Sequence, residues 1–350
     1  MARDKTTISN LHLVFSQAAN RAVKPIRYKI LPGKQMNVSE IGILAGIRRR
    51  AGRPARGLVL GIGDDCAIFR PPGASEDLLF TTDLLLEDVH FRRATHPPEA
   101  IGYKALARGL SDIAAMGGVP RFCLVSLAVG GRDGPRWIAR FYDGLLRLAR
   151  RTGTALAGGD LARAATIACD IVVCGTVPRG RALRRDTARA GDAIYVSGAL
   201  GGSTLGLEQG KGRAWSRHLR PQPRLRLGVF LRERIGATAA MDLSDGLSID
   251  LHRMALASGL EADIEGPPRF PGASLTQALH GGEDYELLFT LPPRAAPPAR
   301  FERVSLTRIG AMRKGKPGAV VLAGRPLPPL GYDHFYGPAP RLPTIGHGVL

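Results

Sequence analysis

At residues 104–118 the chain reads KALARGLSDIAAMGG. In the wider segment 99–116, apolar residues such as Ile101, Ala105 and Leu106 recur at the spacing of a helix with one buried face. Paired prolines precede this segment and paired glycines follow it, which is typical of the two ends of a helix. The pattern therefore predicts a helix that carries Asp112 close to its C-terminal end.

Apolar runs bounded by turn residues continue on both sides of this helix. Strands are predicted at 58–60, 78–82, 122–129, 155–157 and 166–175, with helices near 40–50 and at 136–151. Beyond the Arg-, Pro- and Gly-rich stretch 177–191, strands are predicted at 193–196, 260–264, 285–291 and 320–322, with helices near 202–208, 224–233 and 246–258. This alternation predicts an α/β protein of two mixed domains, 36–185 and 190–338, with an active site between them.

The two ends of the chain lack the periodic pattern. Residues 1–35 are basic and show no sustained apolar repeat, and we interpret them as a disordered or mis-started extension. A targeting peptide is the alternative for that segment, although the continuous apolar core of a secretory signal is missing. We expect residues 339–350 to form a tail.

Composition excludes several classes of protein. No stretch approaches about 18 uninterrupted apolar residues, so we expect no membrane span. The four cysteines, Cys66, Cys123, Cys169 and Cys174, lack the paired spacing of a zinc site and are too few for a disulfide framework. We interpret them as reduced, buried thiols of a cytoplasmic protein.

The formal net charge of +19 raises the alternative of a nucleic-acid-binding protein. The basic residues are dispersed, however, and aromatic residues make up only 6% of the chain, without a basic–aromatic stripe. An Arg-rich surface around the site of an anionic substrate is therefore favoured, and no nucleic-acid partner is expected.

A set of aspartates shares one context, at the point where an apolar strand or helix gives way to a turn. The set is Asp65, Asp83, Asp112, Asp160, Asp242 and Asp245. Carboxylates of this kind converge on hard cations, and neighbouring glycines let backbone N–H groups approach phosphate oxygens. Together with nearby hydroxyls they suit Mg²⁺ and phosphate, although each aspartate alone could be a helix cap or an Asx-turn.

The familiar nucleotide-binding motifs are missing from the chain. Neither a P-loop nor a G-x-G-x-x-G sequence opening a helix occurs, and neither does a zincin H-E-x-x-H or a G-x-S-x-G elbow. A bound nucleotide would have to be held in another way.

Several motifs together resemble the thiamine-monophosphate kinase family. They are GIGDDC at 61–66, TTD at 81–83, KALARGLSDIAAMGG at 104–118, GGD at 158–160, DLSDGL at 242–247, GGEDYELLF at 281–289 and GYDHF at 331–335. The resemblance implies a two-domain, aminoimidazole ribonucleotide synthetase-like fold with mixed sheets, whose N-terminal domain forms a homodimer through its sheet. It also implies transfer of the γ-phosphate of ATP to thiamine monophosphate, which gives thiamine diphosphate.

The resemblance assigns roles to individual positions. The implied Mg²⁺ ligands are Asp65, Thr81, Thr82, Asp83, Asp112, Asp160, Asp242 and Asp245. The implied ATP contacts are Tyr142, Gly159, Asp160, Arg184 and Ser244, with Arg181 and Arg185 as alternatives to Arg184. The implied contacts to thiamine monophosphate are His90, Glu283 and Tyr332. The acceptor is already a phosphate oxyanion, so we expect direct in-line transfer without a general base.

Sister synthetases of the same fold are the nearest alternative. An aminoimidazole ribonucleotide synthetase or a selenophosphate synthetase would share turns such as GIGDDC and DLSDGL. The second should carry a reactive cysteine near its N-terminus, and this chain has none before Cys66.

Overall fold

The computed structural model describes residues 40–52, 55–130 and 134–335. These residues belong to one compact unit. The predicted extension 1–35 and the predicted tail 339–350 lie outside the described residues, and the boundary between domains at 185–190 stays a prediction.

The first half of the described chain builds one mixed sheet with helices. Its elements are α1 (Glu40–Arg50), β1 (Leu58–Leu60), β2 (Ala67–Phe69), β3 (Glu76–Leu86), α2 (Pro98–Ala115), β4 (Val119–Val129), α3 (Pro135–Thr152), β5 (Ala155–Arg163) and β6 (Ala168–Pro178). The strand order is β1-β2-β3-β6-β4-β5. Strands β4 and β5 run parallel, and the other neighbours run antiparallel.

The second half builds a larger mixed sheet. Its elements are β7 (Ala193–Ser197), α4 (Gly202–Gln209), α5 (Gly212–Leu219), α6 (Leu225–Phe230) continued by a π-helical turn (Leu231–Ile235), β8 (Ala239–Asp242), α7 (Leu247–Ala257), β9 (Glu261–Ile264), α8 (Leu275–His280), β10 (Leu287–Leu291), β11 (Arg300–Phe301), β12 (Val304–Arg313), β13 (Val320–Leu322) and β14 (Arg325–Pro326). The order is β14-β13-β9-β12-β7-β10-β8, with β11 beside β12.

Helix α2 is buried on more than the one face that its apolar pattern predicts. It contacts β3, β4 and β6 of its own sheet, α3 on a second side, and α6 and β8 from the other half of the chain. Polar residues of the helix, including Lys104 and Ser111, are consequently buried as well. The helix therefore links the two sheets.

Each predicted strand and helix is present as the predicted type of element. Strand β2, helices α5 and α8 and the long strand β12 are among the elements that were not predicted. The pairing of β12 with β7 shifts register between Arg308 and Gly310, so its side chains do not alternate cleanly. A Cβ atom at Gly310 would lie 2.0 Å from the carbonyl oxygen of Asp263 on β9. Because a bulge and a glycine interrupt the period of two, the sequence of this segment lacks the alternation that predicts a strand.

Glycines let α2 and α3 approach each other closely. A Cβ atom at Gly144 would lie 1.8 Å from the carbonyl oxygen of Glu99. We expect Gly144→Ala to lower the free energy of unfolding by about 1–3 kcal/mol, because the two helices must separate. Urea unfolding measures this change.

Gly46→Ala in α1 is the matched control, because its nearest neighbouring heavy atom would be 3.9 Å away. This variant should unfold at the wild-type urea concentration or slightly above it. Equal behaviour of the two variants would contradict close packing between α2 and α3.

Candidate active site

A cleft of about 570 Å³ is lined by residues from both halves of the chain. It contains most of the residues singled out in the sequence. Those that line it are Asp65, Thr81, Thr82, Asp83, His90, Asp112, Asp242, Ser244, Asp245, Glu283 and Tyr332. Residues far apart in the sequence therefore share one wall.

Three carboxylates meet in this cleft from three different elements. Asp65 lies in the turn between β1 and β2, Asp112 in the last turns of α2, and Asp242 at the end of β8. One oxygen from each carboxylate lies within 4.8 Å of the others. Oδ2 of Asp65 is buried and has no hydrogen-bond partner within the described part of the chain. This all-oxygen set fits a hard divalent cation.

The electrostatics of this carboxylate cluster favour a bound cation. Burial raises the pKa of Asp112 well above its ordinary value, and the charges of Asp242, Asp83 and Asp65 raise it further. Burial likewise raises the pKa of Asp242, with repulsion from Asp65 as the next cause. A cation bound among these groups would offset both the cost of burying their charges and the repulsion between them.

Hydroxyl groups fix the orientation of the carboxylates. Oγ1 of Thr81 donates to Oδ2 of Asp112 at 2.5 Å. Oγ of Ser111 donates to Oδ2 of Asp242 at 2.6 Å, which joins α2 to β8. The role of Ser111 was not predicted from the sequence.

Arginines balance part of the negative charge through ion pairs that were not predicted from the sequence. Arg108 pairs with Asp83 at 2.5 Å, and Arg253 pairs with Asp245 at 2.5 Å. Arg185 forms an ion pair with Asp65. The chain is rich in arginine, so composition did not distinguish these three.

Asp64 is a further acidic residue in the cleft that was not predicted. Its Oδ2 accepts a hydrogen bond from the backbone N–H of Arg185 at 3.1 Å. Burial and the adjacent charge of Asp65 raise its pKa to about 7, despite the nearby guanidinium of Arg185.

The three residues expected to meet the acceptor all lie in the cleft. The backbone N–H of Leu86 donates to Nδ1 of His90 at 3.0 Å, and burial lowers the pKa of His90 to about 3. The backbone N–H of Tyr332 donates to the carbonyl oxygen of Asp245 at 2.9 Å. Glu283 pairs with the buried Lys104, Nζ to Oε2, at 2.7 Å.

Comparison with known proteins identifies the family. A family model described as AIR synthase related protein, N-terminal domain, matches residues 63–177. A thiamine-monophosphate kinase of Salmonella typhimurium is 39% identical over 79% of this chain and 92% of its own length. One of Escherichia coli strain K12 is 37% identical over 87% of this chain and 100% of its own. The chain belongs to the thiamine-monophosphate kinase family.

Solved structures agree with this assignment to the thiamine-monophosphate kinase family. The structure of AaThiL complexed with AMPPCP and TMP has a TM-score of 0.76 and 32% sequence identity. The match covers 86% of this chain and 99% of the related chain. The aminoimidazole ribonucleotide synthetase-like fold expected from the sequence is therefore confirmed.

Four residues that the family resemblance assigns to ATP or Mg²⁺ do not line the cleft. Tyr142 packs edge-on against Phe141 in α3, and Arg184 pairs with Asp186. Gly159 and Asp160 lie on the exposed strand β5. Of the predicted ATP contacts, Ser244 lines the cleft, and so does Arg185, the alternative to Arg184.

No helix in the described ranges is both long enough and apolar enough to cross a membrane.

Adding Mg²⁺ to the chelator-treated protein should raise its Tm. The folded state binds protons more tightly than the unfolded state at Asp64, whose pKa is raised from 3.8 to about 7. In the metal-free protein this contribution to stability is present below about pH 4 and is lost as the pH rises towards 7. At higher pH the deprotonated carboxylates repel one another, and bound Mg²⁺ relieves this repulsion. The increase in Tm on adding Mg²⁺, measured by calorimetry, should therefore be larger at pH 8 than at pH 5.

Asp112→Asn should lose most of this response to Mg²⁺. The matched control is Asp263→Asn, whose carboxylate pairs with the exposed Arg313 and is not among the residues that line the cleft. A full response to Mg²⁺ in Asp112→Asn would remove Asp112 from the cation site.

Proposed function

We propose that this chain transfers the γ-phosphoryl group of ATP to the phosphate of thiamine monophosphate, and that the reaction takes place in the cleft described above. The observation that carries the proposal is the cluster of Asp65, Asp112 and Asp242 in a member of the thiamine-monophosphate kinase family. The related structure holds AMPPCP and TMP together. The products are ADP and thiamine diphosphate.

We assign the Mg²⁺ sites to the carboxylate cluster and its neighbours. Asp65, Asp112 and Asp242 form the centre, and Asp83, Asp245, Thr81 and Thr82 supply further oxygen atoms from the cleft wall. Bound there, Mg²⁺ supplies positive charge to the phosphate oxygens of both substrates. We also include Asp160, which lies on β5, in the proposed set of Mg²⁺ ligands.

The protein's own groups orient the reactants. Phosphoryl transfer depends mainly on positioning and on balancing negative charge, and the acceptor oxygen carries no proton to remove. Ser244, His90 and Tyr332 all line the cleft. We assign Ser244 to contact with ATP, and His90 and Tyr332 to contact with thiamine monophosphate. Because burial keeps His90 neutral at physiological pH, its role is to hold a phosphate by hydrogen bonding.

The location of Asp160, one of the other proposed ATP contacts, supports a homodimer through the first sheet. Thr82 lines the cleft, and its Oγ1 donates to Asp170 on β6 at 2.6 Å. Ser126 on β4 pairs in register with both Asp170 and Asp160. These polar residues therefore run across the uncovered face of the sheet from the cleft to β5.

Apolar residues on the same face strengthen the case for the dimer. Leu84 is 49% exposed and Leu124 is 38% exposed. A second copy of the chain packed on this face would cover both leucines. It would also place its own side chains next to the polar residues that extend from the cleft to β5. We propose that Tyr142, Gly159, Asp160 and Arg184 contact ATP in this assembly.

Leu124→Asp should shift the protein from dimer to monomer, because it buries a charge in the proposed interface. Size-exclusion chromatography with light scattering measures the mass. Leu256→Asp is the control, since Leu256 is 44% exposed on α7, outside that face. A monomeric wild-type protein, or a Leu124→Asp variant that stays dimeric, would contradict the interface.

The four cysteines are buried free thiols, and we place the protein in the cytoplasm on that basis. No described feature favours a nucleic-acid-binding function over the kinase.

The proposed activity is tested by incubating the protein with ATP, Mg²⁺ and thiamine monophosphate. We expect thiamine diphosphate and ADP in equal amounts, and no turnover with free thiamine or with aminoimidazole precursors. Asp112→Asn should lower kcat by about 100-fold or more while the fold is retained. Absence of thiamine diphosphate with the wild-type protein would contradict the proposed function.

Direct transfer has a stereochemical consequence. ATP with a chiral γ-phosphate should give thiamine diphosphate with inverted configuration at phosphorus, because a single in-line step is involved. Retention would indicate a phosphoenzyme and would contradict direct transfer.

A further inference from the structure

Lys104 is a buried lysine between the two halves of the molecule. It lies in the middle of α2, its side chain is 1% exposed, and its Nζ donates to Oε2 of Glu283 at 2.7 Å. Burying an ammonium group is costly unless a partner compensates it. The burial of Lys104 therefore depends on its ion pair with Glu283, and apolar packing alone does not explain a lysine at this position.

Glu283 is held in a fixed and unusual geometry. Its φ of +64° lies in the left-handed region, which a residue with a side chain rarely adopts. Its backbone N–H donates to the carbonyl oxygen of Ser244 at 2.7 Å. Nδ1 of His218 lies 3.5 Å from Oε2 of the same carboxylate. These contacts leave the carboxylate little freedom to rotate.

The second oxygen of Glu283 is left without a donor in the part of the chain that the structure describes. Within the described residues, Oε1 is buried and makes no hydrogen bond, although Glu283 lines the cleft. A buried acceptor without a partner costs about 1–3 kcal/mol, so a ligand that brings a donor to it gains affinity. A ligand that brings an N–H or O–H group to this position can satisfy Oε1.

Two groups of thiamine monophosphate are candidates for contact with Oε1 of Glu283. Its thiazolium ring bears a positive charge, but the ring nitrogen is alkylated and has no hydrogen. Its aminopyrimidine ring carries a 4′-amino group, which is a hydrogen-bond donor. The amino group can donate a hydrogen bond to Oε1, whereas the thiazolium can approach it only as a charge.

We propose that Lys104 is a positioning residue that holds Glu283 so that Oε1 accepts a hydrogen bond from the 4′-amino group of thiamine monophosphate. This inference rests on the proposed function and adds the basis of recognition for one part of the substrate. Lys104 donates to Oε2, and its charge lowers the pKa of Glu283 despite the burial of that carboxylate. Oε1 is then the acceptor that distinguishes an amino group from an oxygen.

The test compares thiamine monophosphate with its analogue that carries an oxygen at the 4′ position. The wild-type protein should prefer the amino substrate by about tenfold to a hundredfold in kcat/KM, the effect of one hydrogen bond to a charged group. Glu283→Gln should reduce or reverse this preference, because an amide can also donate to the oxygen.

Lys104→Met should raise KM for thiamine monophosphate and reduce the preference, while KM for ATP and kcat change little. Lys314→Met, at an exposed lysine, is the matched control and should behave as wild type. Circular dichroism and thermal unfolding monitor the fold. The double variant Lys104→Met/Glu283→Gln removes both charges, and its loss in kcat/KM should be less than the product of the two single losses.

Several outcomes would overturn the inference. An unchanged preference in Glu283→Gln would remove Glu283 from recognition of the amino group. An equal loss for both substrates would assign Glu283 to the thiazolium charge instead. Parallel changes in kcat and in both KM values for Lys104→Met would indicate a purely structural role. A wild-type protein that forms no thiamine diphosphate would overturn the proposed function, and the inference with it.

Discussion

Carboxylates that lie close together in a desolvated cleft repel one another, and positive charge must balance that repulsion. In this molecule Asp65, Asp112 and Asp242 are brought together from a turn, a helix and a strand end. Arg185 and Arg108 balance part of the charge through ion pairs. The carboxylate cluster still retains raised pKa values at Asp112 and Asp242. A structure of this kind favours divalent cations and the phosphates that accompany them.

Helix α2 connects this electrostatic constraint to the fold. It is buried between the two sheets, and its polar residues face partners in the second half of the chain. Ser111 donates to Asp242, and Lys104 pairs with Glu283. One helix therefore orients a carboxylate of the cation site and a residue of the proposed acceptor site. Small residues let it lie so close to its neighbours, as at the contact of Glu99 with Gly144.

The sequence predicted the elements whose pattern is local. Helix α2 was recognised because its apolar residues follow the helical period, whereas β12 was missed because a bulge at Gly310 breaks the period of two. The convergence of Asp65 with Asp242 was expected from turn chemistry and from family resemblance. The ion pairs of Arg185 with Asp65 and of Lys104 with Glu283 were not expected. Each joins residues distant in the chain, and nothing in the neighbouring sequence indicates such a contact.

The central claim is that the carboxylate cluster holds divalent cations beside the phosphates. Crystals grown with Mn²⁺, AMPPCP and thiamine monophosphate would test it by anomalous diffraction. We expect a peak at about 2.0–2.3 Å from oxygen atoms of Asp65, Asp112 and Asp242 and in contact with the nucleotide phosphates. Nucleotide bound without a metal peak at these three residues, or a peak only elsewhere, would contradict the account.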